Sequence, residues 1–196
     1  MEGVQPPPSA YPKLSNKTLV HANSEAMEWP KIPGFPAPDG VVNPAFDYDY
    51  GPDYRYNDNS GVITKVPPVI KKAITMLVPK VDNDGNEIAG IRTLQLRIPL
   101  GAYLGWNPIV SGPLKGRERS LGSGYIPFFR TKAEREAKGD PRRSIEERYA
   151  TLKQYIDEAS KQAEELVKQR YLLPEDASRL IAKLTNDMTS SKLLHD

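Results

Sequence analysis

Few side chains in this sequence have the type and spacing to do chemistry, and they point in different directions. Asp82, Asp84 and Asn86 occupy positions 1, 3 and 5 of a D-x-D-x-N run, the way a calcium loop opens. Such a loop then needs glycine at position 6 and a bidentate glutamate at position 12. Those positions hold Glu87 and Thr93, and the glycine comes early, at Gly85. A plain Asp-Gly turn is the preferred reading. Ser120 and Ser123 lie among glycines, but neither completes the G-x-S-x-G elbow of a serine hydrolase. Ser123 has Leu121 and Tyr125 two residues away on either side, and Ser120 has Glu118 before it. The two histidines, His21 and His195, fall in a proline-bounded segment and in the tail. Asp47 with Asp49, or Asp82 with Asp84, could divide acid and base roles only if their surroundings split their pKa values, and both pairs sit in polar stretches. Lys115, Arg117 and Arg119 form a basic cluster interrupted by Glu118, read as a solvated loop before a phosphate contact. No catalytic, cofactor-binding or metal-binding residue is assigned. The residues expected to line any cleft are Tyr103, Trp106, Asn107 and Tyr125, since aromatics line pockets and neighbouring glycines let backbone approach a ligand closely. Aromatic plugs in a loop-rich core are the alternative.

Three stretches must position these residues. Residues 1–68 carry a net charge of −3 and twelve of the 19 prolines. Pro6-Pro7-Pro8, Pro12, Pro30, Pro33, Pro36 and Pro38 remove backbone donors and bias their predecessors away from helix. This predicts an extended arm anchored by Leu14, Leu19, Val20, Trp29, Ile32 and Phe35, with Thr18-Leu19-Val20 pairing at a sheet edge. Phe46 to Tyr56 alternates five rings with acids. Asp47, Asp49 and Asp53 would repel phosphate, so base stacking is rejected in favour of aromatic packing within the chain.

Residues 69–130 carry a net +5. Ala73–Val81 and Glu87–Ile98 around the Asp82–Asn86 turn predict a β-hairpin, with Leu94, Leu96, Ile98 and Leu100 defining its buried face. Glycine-rich loops are expected over 101–130. Residues 131–196 are electroneutral and helical in pattern. A short helix should run from Thr131 to Lys138, ended by Gly139. Ser144 and Glu147 form a capping box that opens a long helix with its stripe on Ile145, Tyr149, Leu152, Ile156, Ala159, Ala163 and Leu166. Leu173-Pro174-Glu175-Asp176 starts a second helix, striped by Ala177, Leu180, Ile181, Leu184 and Met188. Two such helices on a short link should pack as an antiparallel hairpin. The fold class is therefore α+β: a Pro-rich arm (1–68), a small antiparallel hairpin or sheet with glycine-rich loops (69–130), and a helical hairpin (131–196).

Composition sets outer limits. With 196 residues, 38% hydrophobic, only a modest core is available. A net charge of +2 calls for neither a nucleic acid nor a membrane surface as partner. No apolar run approaches the roughly 18 residues of a membrane span. Met1 to Ala10 is neither basic nor apolar, unlike a signal peptide. The absence of cysteine removes disulfides and thiolate ligands.

Several longer stretches carry a resemblance. They are Leu77–Ile91, Pro99–Asn107 (Pro-Leu-Gly-Ala-Tyr-Leu-Gly-Trp-Asn), Gly124–Arg135, Gly139–Tyr149 and Tyr171–Ala177, with an opening at Val4–Ser9 and Tyr11–Leu14. Together they resemble the C-terminal part of the large bacterial "alpha/beta hydrolase domain" proteins, many of them exported. The resemblance implies a hydrolase core as partner, whose sheet and nucleophile would lie upstream of Val4, so that this chain corresponds to the terminal third of such a protein. The preferred expectation is an accessory portion that packs on that core and covers its mouth, with no cofactor. A stand-alone interaction module using the helical hairpin, and an independent carboxylate enzyme, are the other readings. Oligomeric state and compartment are left open.

Overall fold

The computed structural model describes residues 5–37, 45–57, 61–117, 122–191 and 193–194. Its elements are β1 (Leu19–His21), α1 (Ser24–Met27), β2 (Ala45–Asp49), β3 (Val69–Ile74), β4 (Leu77–Pro79), α2 (Leu94–Arg97), β5 (Gly101–Leu104), β6 (Gly124–Pro127), α3 (Lys132–Lys138), α4 (Ile145–Arg148), α5 (Leu152–Lys168) and α6 (Pro174–Ser191). The strands form three antiparallel pairs, β1 with β4, β2 with β3 and β5 with β6. The class is α+β, with small two-stranded sheets and no larger or closed sheet among the described residues.

The helical half follows directly from its apolar stripe. On α5, Tyr155, Ala159, Ala163 and Leu166 recur at helical spacing and are buried. The connection 169–173 returns the chain, and α6 packs on α5 through Ala177 and Met188. Small alanines on α5 let the two backbones approach. Leu94, Ile98, Phe128, Ile145 and Tyr149 close the same core from the other side. α3 ends where expected: Thr131 and Glu134 make a capping box, and Gly139 takes φ +70 at its C-cap, a conformation that glycine enters without strain.

The single long helix expected from Ser144 is two helices. Ser144 and Glu147 do form the capping box, but α4 stops after Arg148 and Tyr149 is extended. Tyr149 leaves the helix to set its ring edge-on to Tyr155 at 4.9 Å and to donate its hydroxyl to the Pro99 carbonyl at 3.0 Å. Thr151 then caps α5 by accepting from Gln154 N, while Gln154 reaches back to Ala150 N. That Thr-x-x-Gln spacing was the available signal for the break. Glu147 holds the corner together: Arg135 donates two bonds to it, and Ser144 two more. Arg135, and after it the Ser144 amide, keep its carboxyl well below the usual carboxylate range.

The expected hairpin over 73–98 is also redistributed. A single bridge, Val81 to Glu87, flanks the Asp82–Asn86 turn. The first half divides into β3, paired with β2, and β4, paired with the arm strand β1. The second half is loop and then α2. Leu94 and Ile98 are buried, as period-2 patterning required, but the same two positions are i and i+4 of a helical turn. Burial of both therefore did not discriminate strand from helix. Arg97 fixes the turn against α5 through Gln162 and Gln169. The region expected as glycine-rich loops instead supplies β5 and β6.

The N-terminal arm lies across its own chain. Arg170 donates to the carbonyls of Gln5 and Pro6, and Tyr171 to that of Pro8. β1 pairs with β4 as an edge strand. Trp29 and Phe35 then stack on Trp106, at 5.1 and 5.6 Å between ring centres. The aromatic stretch after it packs ring on ring: Phe46 with Tyr48, Tyr48 with Tyr50, and Tyr50 with Tyr54 and Tyr56.

Candidate functional site

Among the described residues, the most site-like part is built around β5 by one buried side chain. Asn86 is wholly buried at the end of the Asp-Gly turn. Its Nδ2 donates to the Gly101 carbonyl at 3.1 Å, and its Oδ1 accepts from Tyr103 N at 2.8 Å. The side chain thus stands in for a neighbouring strand and satisfies the free edge of β5. The turn itself is fastened by Asp82, which accepts from the amides of Asp84 and Asn86 and from Arg92 Nη2 at 2.8 Å. Asp84 receives a two-bond contact from Arg148, whose guanidinium also lies 4.0 Å from the centre of the Phe128 ring. The run that opens like a calcium loop is therefore a turn whose carboxylates face backbone amides and arginines.

With β5 fixed, Tyr103 and Tyr125 face each other across the β5–β6 pair, in register and with ring centres 5.0 Å apart. The Tyr125 hydroxyl donates to the Leu100 carbonyl at 3.0 Å. Tyr125 as a whole is half-exposed. Burial, and then the neighbouring Tyr103, push the Tyr125 phenol up to about 12, and burial raises Tyr103 as well. Both therefore remain protonated hydrogen-bonding groups at neutral pH. Beside Tyr103 is a hollow of about 480 Å³, lined by Glu87, Thr93, Gln95, Leu96, Leu104 and Gly105. Its volume falls in the range of small-molecule sites.

The four residues expected to line a cleft thus separate. Tyr103 lines this hollow and Tyr125 braces it from β6. Trp106 belongs to the Trp29–Phe35 cluster, beside a second hollow of about 660 Å³ lined in part by Trp29, Ile32, Phe35, Lys31 and Lys138. Asn107 is half-buried and lines neither hollow. Sequence reasoning missed Asn86, whose role depends on a β5 edge that no local pattern announces. It also missed Glu87, which a strand reading had assigned to the hairpin.

Ser144, Ser160, Ser178 and His21 lie away from the Tyr103 hollow. Ser144 is wholly buried and donates to Glu147 Oε2 at 2.8 Å, completing its cap. Ser160 and Ser178 donate to carbonyls of their own helices. His21 is an exposed residue of β1. Lys115 and Arg117 lie exposed on a turn closed by Gly116 N donating to the Ile109 carbonyl. Ser120, Arg119, Glu118 and His195 fall outside the described residues.

Gly101 shows how tightly the β5–β6 pair is drawn. A Cβ there would lie 2.5 Å from the Ile126 carbonyl oxygen and 2.9 Å from Pro127 Cα, both backbone atoms that cannot swing aside. A Cβ at Gly105, one residue beyond β5, would meet nothing within 4 Å. Gly101→Ala is expected to destabilise the fold by about 1–3 kcal/mol, and Gly105→Ala to change it by less than about 0.5 kcal/mol. Paired urea titrations check this; equal midpoints for the two variants would contradict the close approach.

A two-stranded sheet, a half-open hollow and a helical pair do not by themselves name a reaction, and the wider sequence carries that assignment. The family model described as "Alpha/beta hydrolase domain" matches residues 2–182. The chain belongs to that family, which makes it a hydrolase-like protein. No curated protein and no solved structure matches it.

Proposed function

We propose that this chain is the accessory portion of a hydrolase-like protein, packing on a catalytic core and covering part of its mouth. The observation that carries the reading is the absence of an elbow platform among the described residues. Serine-hydrolase catalysis in this class of fold places its nucleophile on a sharp strand-to-helix turn at the top of a sheet. Here the sheets are two-stranded, and the sequence holds no G-x-S-x-G. What the chain does offer is a hollow with phenol, amide and carboxyl groups on its wall. Tyr103, braced by Tyr125 on β6, is the residue that would face a substrate entering from the core. Its protonated phenol suits it to hydrogen-bond a neutral or anionic substrate group rather than to abstract a proton.

The alternative is a stand-alone oligomerisation module built on α5 and α6. It has less support, because the apolar stripe of α5 is already buried inside this chain. The deciding test is active-site labelling. The purified chain is expected to take up no fluorophosphonate probe and to show no hydrolysis of a p-nitrophenyl ester above buffer. Stoichiometric labelling of one serine would overturn the accessory reading.

A further inference from the structure

The β2–β3 ribbon stands apart from the rest of the fold. The two strands pair with each other, and among the described residues neither has more than marginal contact with another helix or strand. All six residues of β3 are exposed, including Val69, Ile70 and Ile74, and so are Val62, Ile63 and Val66 before it. A lone two-stranded ribbon is marginally stable in water, so this one leaves apolar surface and backbone groups unspent.

Its two edges differ. On β2, the Tyr56 hydroxyl donates to the Tyr48 carbonyl at 2.7 Å, and the Tyr50, Tyr54 and Tyr56 rings pack beside it. That edge is partly engaged. Among the described residues, the backbone of β3 makes no hydrogen bond outside its pairing with β2. Such an edge is a template for another strand.

Charge selects what can be added. The register slips between Asp47 and Tyr48, so that Lys72 opposes Asp47, Ile70 opposes Tyr48, and Lys71 has no direct partner. Two adjacent lysines therefore sit at the centre of β3. A second copy of β3 laid antiparallel about that centre would bring lysine against lysine, which is destabilising. The pairing already present shows the complementary chemistry: Asp47 lies opposite Lys72, and Asp49 is bonded to Lys65. We propose that the outer edge of β3 is a strand-addition site for an extended protein segment that alternates apolar and acidic side chains. This goes beyond the accessory reading and stands independently of it.

The test uses the full chain and the peptide Ala-Phe-Asp-Tyr-Asp-Tyr, the sequence of residues 45–50, as an acidic strand probe. A second peptide carries lysine at both aspartate positions. Amide hydrogen exchange is followed with each. The acidic peptide is expected to slow exchange in residues 69–74 and to leave α5 unchanged. Lys71→Glu with Lys72→Glu should weaken its binding about tenfold, from reversal of two cross-strand charge contacts. Lys71→Gln alone should give a smaller loss in the same direction, and serves if the double variant fails to fold. Three results would overturn the proposal: no slowing in 69–74 at millimolar peptide, equal binding of the lysine peptide, or protection of 69–74 that rises with protein concentration alone. The last would assign the edge to a second copy.

Discussion

Asp140→Ala is expected to lower the unfolding free energy by about 3–5 kcal/mol, because it strands a buried guanidinium. The side chains of Asp140 and Arg142 are almost completely removed from solvent. Arg142 Nη2 donates to Asp140 Oδ2 at 2.7 Å and Nε to Oδ1 at 3.0 Å, and the Arg142 amide adds a bond to the same Oδ1. The rest of the guanidinium is spent on β6: Nη1 donates to the Ile126 carbonyl at 3.1 Å and Nη2 to that of Pro127 at 3.3 Å. The ring of Phe128 lies 5.2 Å beneath it. Asp140 thus orients an arginine that pins the end of β6 to the segment leading into α4. Removing the carboxylate leaves the charge buried with only neutral acceptors. Replacing both residues, Asp140→Leu with Arg142→Met, should be less damaging than the single change, since no charge is then left in the interior. Urea unfolding of the three proteins checks both statements. A loss below about 1 kcal/mol for Asp140→Ala would mean that water reaches the guanidinium and that the pair is not a fastening. Because β6 carries Tyr125, the same variant should also loosen the Tyr103 hollow.

The second large effect is in the helical core. Tyr155 is the largest of the fully buried side chains among the described residues. It sits edge-to-face with Tyr149 and within the cluster formed by Leu94, Ile98, Ile145, Ala159 and Met188. Tyr155→Ala removes a ring from a close-packed site flanked by alanines that cannot expand to fill the gap, so a loss of about 3–5 kcal/mol is expected. Tyr155→Phe keeps the ring and should recover most of it. Tyr149→Phe should cost about 1–3 kcal/mol, since it leaves the buried Pro99 carbonyl without its donor. Thermal and urea denaturation order the three variants. Should Tyr155→Ala prove milder than Tyr149→Phe, hydrogen bonding rather than packing would dominate this core. Burial raises the phenols of both tyrosines above their ordinary values, so neither should titrate before the fold is lost at high pH.

Local chemistry in the sequence was a good guide wherever an element's signal is complete within a few residues. The capping box at Ser144, the glycine stop at Gly139 and the Pro174 start of α6 are all where the residues placed them. Each rests on a side chain bonding a backbone group three residues away, or on a φ angle that one residue type prefers. The stripe of α5 belongs to the same class, because helical periodicity is itself local. The family was legible for another reason: long runs such as Pro99–Asn107 retain their identity whatever they contact.

Tertiary structure decided the rest. Which strands pair was not written in 73–98, because the Asp-Gly turn could begin a hairpin but could not show that β1 would take β4 and β2 would take β3. Leu94 and Ile98 satisfy a strand face and a helical turn equally, and only their packing under α5 selects the helix. Asn86 became the keystone of the candidate site because β5 passes within hydrogen-bond reach, and Trp106, three residues from Tyr103, was drawn away from the Tyr103 hollow into the ring cluster of the arm's Trp29 and Phe35. A side chain carries its own hydrogen-bonding capacity and shape wherever it goes, but its partner is fixed only when distant chain segments compete for the same space.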